Sequence, residues 1–148
     1  MRMLGIDWGE RRIGLAVSDP DGQVAVPVAT LEVSGERQAL EGVAAAGRER
    51  ECRRMVMGLP LNMDGTEGAM ARKTRAFAEK LEKRTGLPVV LLDERLSSWS
   101  AERQLHAANR KCSRRDGLKD KLAARIILQE YLDSTKESAW PCQDSRSS

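Results

Sequence analysis

Residues 4–19 read LGIDWGERRIGLAVSD, and their alternation decides the fold. Leu4, Ile6 and Trp8 alternate with Met3, Gly5 and Asp7, and then Ile13, Leu15 and Val17 alternate with the small residues Gly14 and Ala16. Two period-two runs joined by the polar turn 9–12 predict an antiparallel hairpin. The first strand ends on a carboxylate, Asp7, with a glycine two residues further on. An acid at the inner end of a strand is a chemical signal, and the rest of the chain has to account for it.

Working outward, QVAVPVATLEV (23–33) predicts a third strand, and Pro27 inside it predicts an edge position or a bulge. Residues 36–50 have helical spacing, with Leu40, Val43, Ala44 and Gly47 on one stripe. RRMVMGLP (53–60) is a short apolar strand stopped by Gly58 and Pro60, and the glycine-bearing loop 61–68 follows it. The stripe Met70, Thr74, Phe77, Ala78 and Leu81 predicts a helix over 69–85, ended by Gly86. LPVVLLDER (87–95) is an unbroken apolar run, as expected of a strand covered by helices on both faces. Ser97 or Ser98 can N-cap a helix reaching about Ala107. NRKCSRRDG (109–117) reads as a basic loop. A last helix over about 118–133 is expected to bury Leu122, Ala123, Ile126, Ile127 and Tyr131.

From 134 the chain turns polar and serine-rich without periodicity, which predicts a disordered tail (134–148) behind one domain (1–133). The element order is three strands, then alternating helices and strands, then two helices. Right-handed crossovers make the later strands parallel. The expected fold is therefore α/β: a mixed sheet with an antiparallel three-strand start, then parallel strands, and helices on both faces.

Bulk properties bound the function. With 148 residues the chain is one domain in size, and 41% hydrophobic with 32% charged residues describes a globular protein. No apolar run approaches the ~20 residues of a membrane span, and no basic-then-apolar leader opens the chain. Cys52, Cys112 and Cys142 are odd in number and far apart, which fits neither a disulfide framework nor a zinc knuckle. Free thiols in a reducing cytoplasm are the expectation. Net charge is only +3, but residues 103–125 hold eight basic and two acidic side chains, +6 against −3 for the remainder. Arg110, Lys111, Arg114, Arg115 and Lys119 lie there, a concentration suited to a polyanion.

Sheets of this kind hold their sites outside the carboxyl ends of the parallel strands. Asp7 ends the first strand, Asp93 and Glu94 end the 87–95 strand, and Asp120 lies in the first turn of the last helix. Asp120 falls three and four residues before Ala123 and Ala124, small residues that allow close approach to the sheet. Each acid has a plainer role available. Asp120 can complement the helix dipole, and Asp7 can accept hydrogen bonds from its turn. Their convergence is what points to chemistry. His106 reads as a surface residue and not a ligand. Asn62, Asp64 and Gly65 form a possible substrate loop, with Asn62 and Asp64 candidates for positioning substrate or metal. Arg95 is placed to orient Glu94 or touch phosphate, and Ser18 and Asp19 to shape the adjoining turn. Trp8 reads as core, with stacking on a base as the alternative.

GIDWGERRIGLAVSD, MGLPLNMDGTEG, DERLSSWSAE and KDKLAARIILQEYL resemble, in order, the four motif blocks of the YqgF family, also called RuvX-like or Holliday-junction-resolvase-like nucleases. The blocks span 4–133. The resemblance implies a ribonuclease H-like fold and Mg²⁺- (or Mn²⁺-) dependent cleavage of phosphodiesters. It implies Asp7, Glu94 and Asp120 as catalytic and metal-binding residues, with Asp116 the alternative for the third. It implies action in maturation of the 5′ end of 16S ribosomal RNA, or on branched DNA. Ser97–Ser98 replaces the family's usual threonines, and Lys119 stands before Asp120 where an apolar residue is usual. The chemistry agrees: Mg²⁺ takes carboxylate, water and phosphate oxygens, without histidine or cysteine. Two other classes compete. A phosphotransferase of the actin and sugar-kinase type shares the opening hairpin but needs two such domains. A non-catalytic nucleic-acid-binding module would not need three intact acids.

Overall fold

The computed structural model describes residues 1–93 and 118–147. Their alternation folds as the sequence dictates, into strands β1 (Arg2–Asp7), β2 (Arg12–Ser18), β3 (Ala25–Glu32), β4 (Cys52–Leu59) and β5 (Val89–Asp93). The helices are α1 (Glu36–Glu49), α2 (Ala69–Thr85) and α3 (Leu118–Ser147). The five strands form one sheet in the order β3-β2-β1-β4-β5. β1–β2 and β2–β3 pair antiparallel, while β1–β4 and β4–β5 pair parallel, as a mixed sheet with crossover helices requires.

Side-chain alternation separates two cores. Leu4, Ile6, Ile13, Leu15, Met55 and Met57 face α1 and α2, packing with Val43, Phe77 and Leu81. Met3, Ala16 and Val56 face α3, packing with Ala123, Ala124, Ile127, Leu128 and Leu132. Helices thus cover both faces. α3 lies close to the sheet where it faces the small residues Gly5, Gly14 and Ala16 of β1 and β2. A Cβ on Gly5 would meet Leu128 Cβ at 2.7 Å and the Ala124 carbonyl oxygen at 2.8 Å. Hydrogen bonds fix the helix laterally: Gln129 Oε1 accepts from Ala25 N–H (2.9 Å), and Gln129 Nε2 donates to the Gln23 carbonyl (3.0 Å).

Local signals held at several boundaries. β3 is an edge strand, and its register against β2 shifts so that Leu15 faces Ala29 and Ala16 faces Pro27. Pro27 therefore sits both at an edge and at a bulge, where its missing N–H costs no ladder bond. α2 ends on Gly86, whose φ of 73° is the left-handed cap conformation that glycine adopts most readily. Asp19 organises its turn, its Oδ1 accepting from Gln23 N–H (2.6 Å) and Val24 N–H (3.0 Å). Ser18 Oγ is buried and accepts from Met3 N–H at 2.8 Å.

Other expectations need correction. The inner stripe of α1 is Ala39, Val43, Ala46 and Gly47, so Leu40 and Ala44 are only half-buried. α2 buries Ala71 where Met70 was expected, and Met70 stands 45% exposed. In α3, Ala124, Leu128 and Leu132 are buried, while Leu122, Ile126 and Tyr131 lie at the flanks. The Tyr131 hydroxyl accepts from Arg54 Nη1 at 3.0 Å. In α1 and α2 the shift seats a small residue, Ala39 or Ala71, on the sheet. β5 is half-buried throughout, because it is the terminal strand of the described order. α3 runs on to Ser147, past the expected end near Asp133; residues 134–140 hold no glycine or proline to stop it. No described helix is long and apolar enough to cross a membrane. The helix expected from Ser97 or Ser98 to Ala107, the basic loop 109–117 and His106 lie outside the described residues.

Candidate active site

The parallel strands β1 and β4 end at the same edge of the sheet. Asp7 is the last residue of β1 and the cross-strand partner of Gly14 in β2. Directly opposed residues of an antiparallel pair project to the same face. That face is the one covered by α3, since Met3 and Gly5 precede Asp7 at period two and both meet α3 residues.

Gly14 then decides what Asp7 meets. A Cβ at Gly14 would lie 1.8 Å from the Asp120 carbonyl oxygen, 2.2 Å from its carbon and 2.8 Å from the Lys121 nitrogen. The first turn of α3 therefore rests on bare β2 backbone, beside Asp7. Asp7 and Asp120, remote in sequence, flank one glycine, and both are half-buried. Asp120 also sits where the N-terminal end of the helix dipole favours a negative charge.

The other sequence candidates divide. Asp93 pairs with Leu59 and follows Leu91 at period two, so it belongs to the face packed on α1 and α2 and not to that of Asp7. Asn62, Asp64 and Gly65 lie after β4, at the Asp7 end of the sheet, and they build a rigid turn. Gly65 N–H donates to the Asn62 carbonyl (2.9 Å), and Asn62 N–H to the Thr66 carbonyl (2.9 Å). Asn62 Nδ2 donates to Thr66 Oγ1 (2.9 Å), and Asp64 Oδ1 accepts from Thr66 N–H (3.0 Å) and Oγ1 (2.7 Å). The loop's polar side chains thus hydrogen-bond within it while residues 62–66 all stay exposed, Met63 at 86%. Arg75 grips Glu67 at 2.7 Å and holds that carboxyl below the usual carboxylate range, fastening the loop to α2. Lys119 lies in the first turn of α3. Glu94, Arg95, Arg110, Lys111, Arg114, Arg115 and Asp116 lie outside the described residues. Among the described residues no three His, Cys, Asp or Glu side chains cluster to hold a metal ion.

On the opposite face, immediately after Asp7, Trp8 packs on Phe77 with ring centroids 5.7 Å apart and lines a cleft of about 440 Å³. Cys52, buried at the far end of β4, is a free thiol.

Residues 1–134 match the family model RuvX, described as Holliday junction resolvase. The chain is 49% identical over 133 residues to an Anaeromyxobacter dehalogenans (strain 2CP-C) protein called "Putative pre-16S rRNA nuclease", covering 90% of this chain and 97% of that one. A Listeria monocytogenes (serotype 4b, strain CLIP80459) protein of the same name is 44% identical, with 91% and 99% covered. Among solved structures, Thermus thermophilus RuvC in complex with Holliday junction substrate superposes with a TM-score of 0.59 at 16% identity, over 93% of this chain and 96% of that one. The fowlpox virus Holliday junction resolvase gives 0.53 at 13% identity, over 90% and 99%. At such identities these structures speak to the fold, which is ribonuclease H-like.

Proposed function

The chain belongs to the RuvX family, and on that premise we propose that it is a divalent-metal-dependent endonuclease acting at the 5′ end of precursor 16S ribosomal RNA. The observation that carries the reading is the seating of the first turn of α3, at the Asp120 backbone, on Gly14, the cross-strand partner of Asp7. Asp7 and Asp120 are both half-buried, and their carboxylates are hard oxygen donors of the kind that suits Mg²⁺ or Mn²⁺. Glu94 is the third donor of this reading, as the resemblance of the DERLSSWSAE stretch to the family's third motif implies.

Asp7, Glu94 and Asp120 would hold the metal. When bound, it lowers the pKa of an attacking water and stabilises the leaving oxygen of an in-line displacement. The chain's own contribution is to fix these carboxylates on rigid elements. Loop 61–68 keeps its shape through its own hydrogen bonds, and the basic segment with Arg95, Arg110, Lys111, Arg114, Arg115 and Lys119 supplies attraction for phosphates. Phosphate contacts position the substrate without reading its sequence. The reaction is assigned to residues 1–133. The buried free thiol of Cys52 and a ribosomal substrate both suit the cytoplasm. Cleavage of branched DNA is the second reading, favoured by the family's description.

The experiment sets precursor 16S rRNA beside a four-way DNA junction, with Mg²⁺ or EDTA and with ends mapped. The intact chain should cut the RNA at a defined 5′ position only with metal. Asp7→Asn and Asp120→Asn should stop cleavage without lowering the metal-free melting temperature, because each removes one of two neighbouring like charges. Mg²⁺ should stabilise the intact chain more than either variant, by linkage. Variants that are destabilised yet cut when folded would refute the assignment, and cutting of the junction alone would select the second reading.

A further inference from the structure

The sheet end that carries Asp7 on one face carries a second concave surface on the other. Trp8 follows Asp7 directly but points the opposite way, its indole tilted 37° over Phe77, which is 1% exposed. Trp8 itself is only half-buried. The rest of its surface lines the cleft of about 440 Å³ between the β1–β2 turn, the start of α1 and the outer side of α2. A Cβ on Gly35, at the rim, would meet nothing within 4 Å, so the mouth is open. Clefts of this size and mixed lining accommodate small planar organic groups.

The charges around the cleft say which part of a nucleotide it suits. Lys73 Nζ pairs with Glu10 at 2.9 Å, and Lys80 Nζ pairs with Glu36 at 2.6 Å. Among the described residues, both of these lysines are matched by a carboxylate, so they give the cleft no excess positive charge to attract a phosphate. What remains is an aromatic surface with one donor and one acceptor, Lys73 and Glu10, at its edge. An uncharged, flat, hydrogen-bonding group fits that description, and in a nuclease substrate that group is a base.

We propose that this cleft receives an unstacked base of the substrate strand, stacked on Trp8, beside the phosphate presented to Asp7 and Asp120. The proposal rests on the nuclease reading and adds a base-binding subsite to it. Consecutive Cα atoms lie about 3.8 Å apart, so Asp7 and Trp8 form a ridge over which one strand can pass, phosphate on one side and base on the other. Stacking on an aromatic side chain tolerates any base, which suits single-stranded or junction-proximal nucleotides. Trp8 is then a substrate-binding residue as well as a cover for Phe77.

Binding is measured in EDTA, so that cleavage plays no part and failure of the nuclease reading would not affect the outcome. The full chain is titrated against a short single-stranded RNA and against copies carrying one abasic site at each position in turn. One abasic position should weaken binding by about 5- to 150-fold, the range for loss of a stacked base. Trp8→Leu keeps apolar cover on Phe77 and should cause the same loss on the intact strand, with no further loss on that abasic copy. In a chain with Trp99→Phe and Trp140→Phe, Trp8 fluorescence should be quenched by the intact strand and not by that copy, a readout that does not depend on the folding of Trp8→Leu. A flat abasic scan with unquenched Trp8, or losses that add, would overturn the proposal. So would free adenosine or uridine monophosphate binding as tightly as the strand, which would make the cleft an effector site.

Discussion

Gly14→Ala tests the contact on which the candidate site depends. An added Cβ would lie 1.8 Å from the Asp120 carbonyl oxygen, and real Cβ atoms essentially never come closer than 3.0 Å, so the first turn of α3 must retreat by about 1.2 Å. The obstruction is backbone on both sides, which no rotamer change relieves. Overpacking of this kind costs ~1–3 kcal/mol, and at this chain length each kcal/mol lowers the melting temperature by ~2–4 °C. A displacement of about 1 Å in a catalytic group can cost ~100-fold in rate. Gly14→Ala should therefore fold, melt some 2–12 °C lower, and cleave about 100-fold more slowly even when fully folded. Gly5→Ala is the control. Its Cβ would press on the same helix, at 2.7 Å from Leu128 Cβ, but two residues away from Asp7 along β1. It should lose comparable stability and much less activity, because α3 can yield there while its first turn stays on Gly14. The assay is thermal melting with single-turnover cleavage at a temperature where both variants are folded. If Gly14→Ala keeps the intact chain's rate, or loses rate only as far as Gly5→Ala does, then Asp7 and Asp120 do not work as a pair across this glycine.

Replacing Arg110, Lys111, Arg114 and Arg115 together by Ala should weaken RNA binding alike across sequences. It should also flatten the plot of log affinity against log salt by ~0.7–0.9 for each phosphate that the variant no longer neutralises; an unchanged slope would remove this segment from the interface. Burial pushes the Cys52 thiol up, against the pull of Arg2 and Arg50, so the unfolded chain ionises its thiol first, at about pH 9.0. Its contribution to stability is complete below that pH and fades as pH rises toward the folded-state value. Melting temperatures between about pH 8 and 10 should fall more steeply for the intact chain than for Cys52→Ala, and equal slopes would refute the shift.

The local grammar of the fold was legible in the chain. Period-two alternation sets β1 and β2, Pro27 marks an edge and a bulge, and Gly86 stops α2, because each depends on a few adjacent residues and their backbone preferences. The acids were visible too, as carboxylates at the ends of elements. What the chain could not state was which of them meet. Asp93 and Asp7 look equivalent as strand-end acids, yet strand register sends Asp93 toward α1 and α2 and Asp7 toward α3. Asn62 and Asp64 look like independent loop residues, yet the fold ties both to Thr66 by hydrogen bonds that shape the loop. The inner faces of α1 and α2 settled on Ala39 and Ala71 in place of the larger Leu40 and Met70 beside them, because small residues let a helix lie closer to a sheet. The seating of the first turn of α3, with Asp120, beside Asp7 is decided by the absence of a side chain at Gly14, which lets α3 come down onto β2. Local propensity acts over a few residues. Packing acts through space, and only the folded chain brings one glycine between two distant acids.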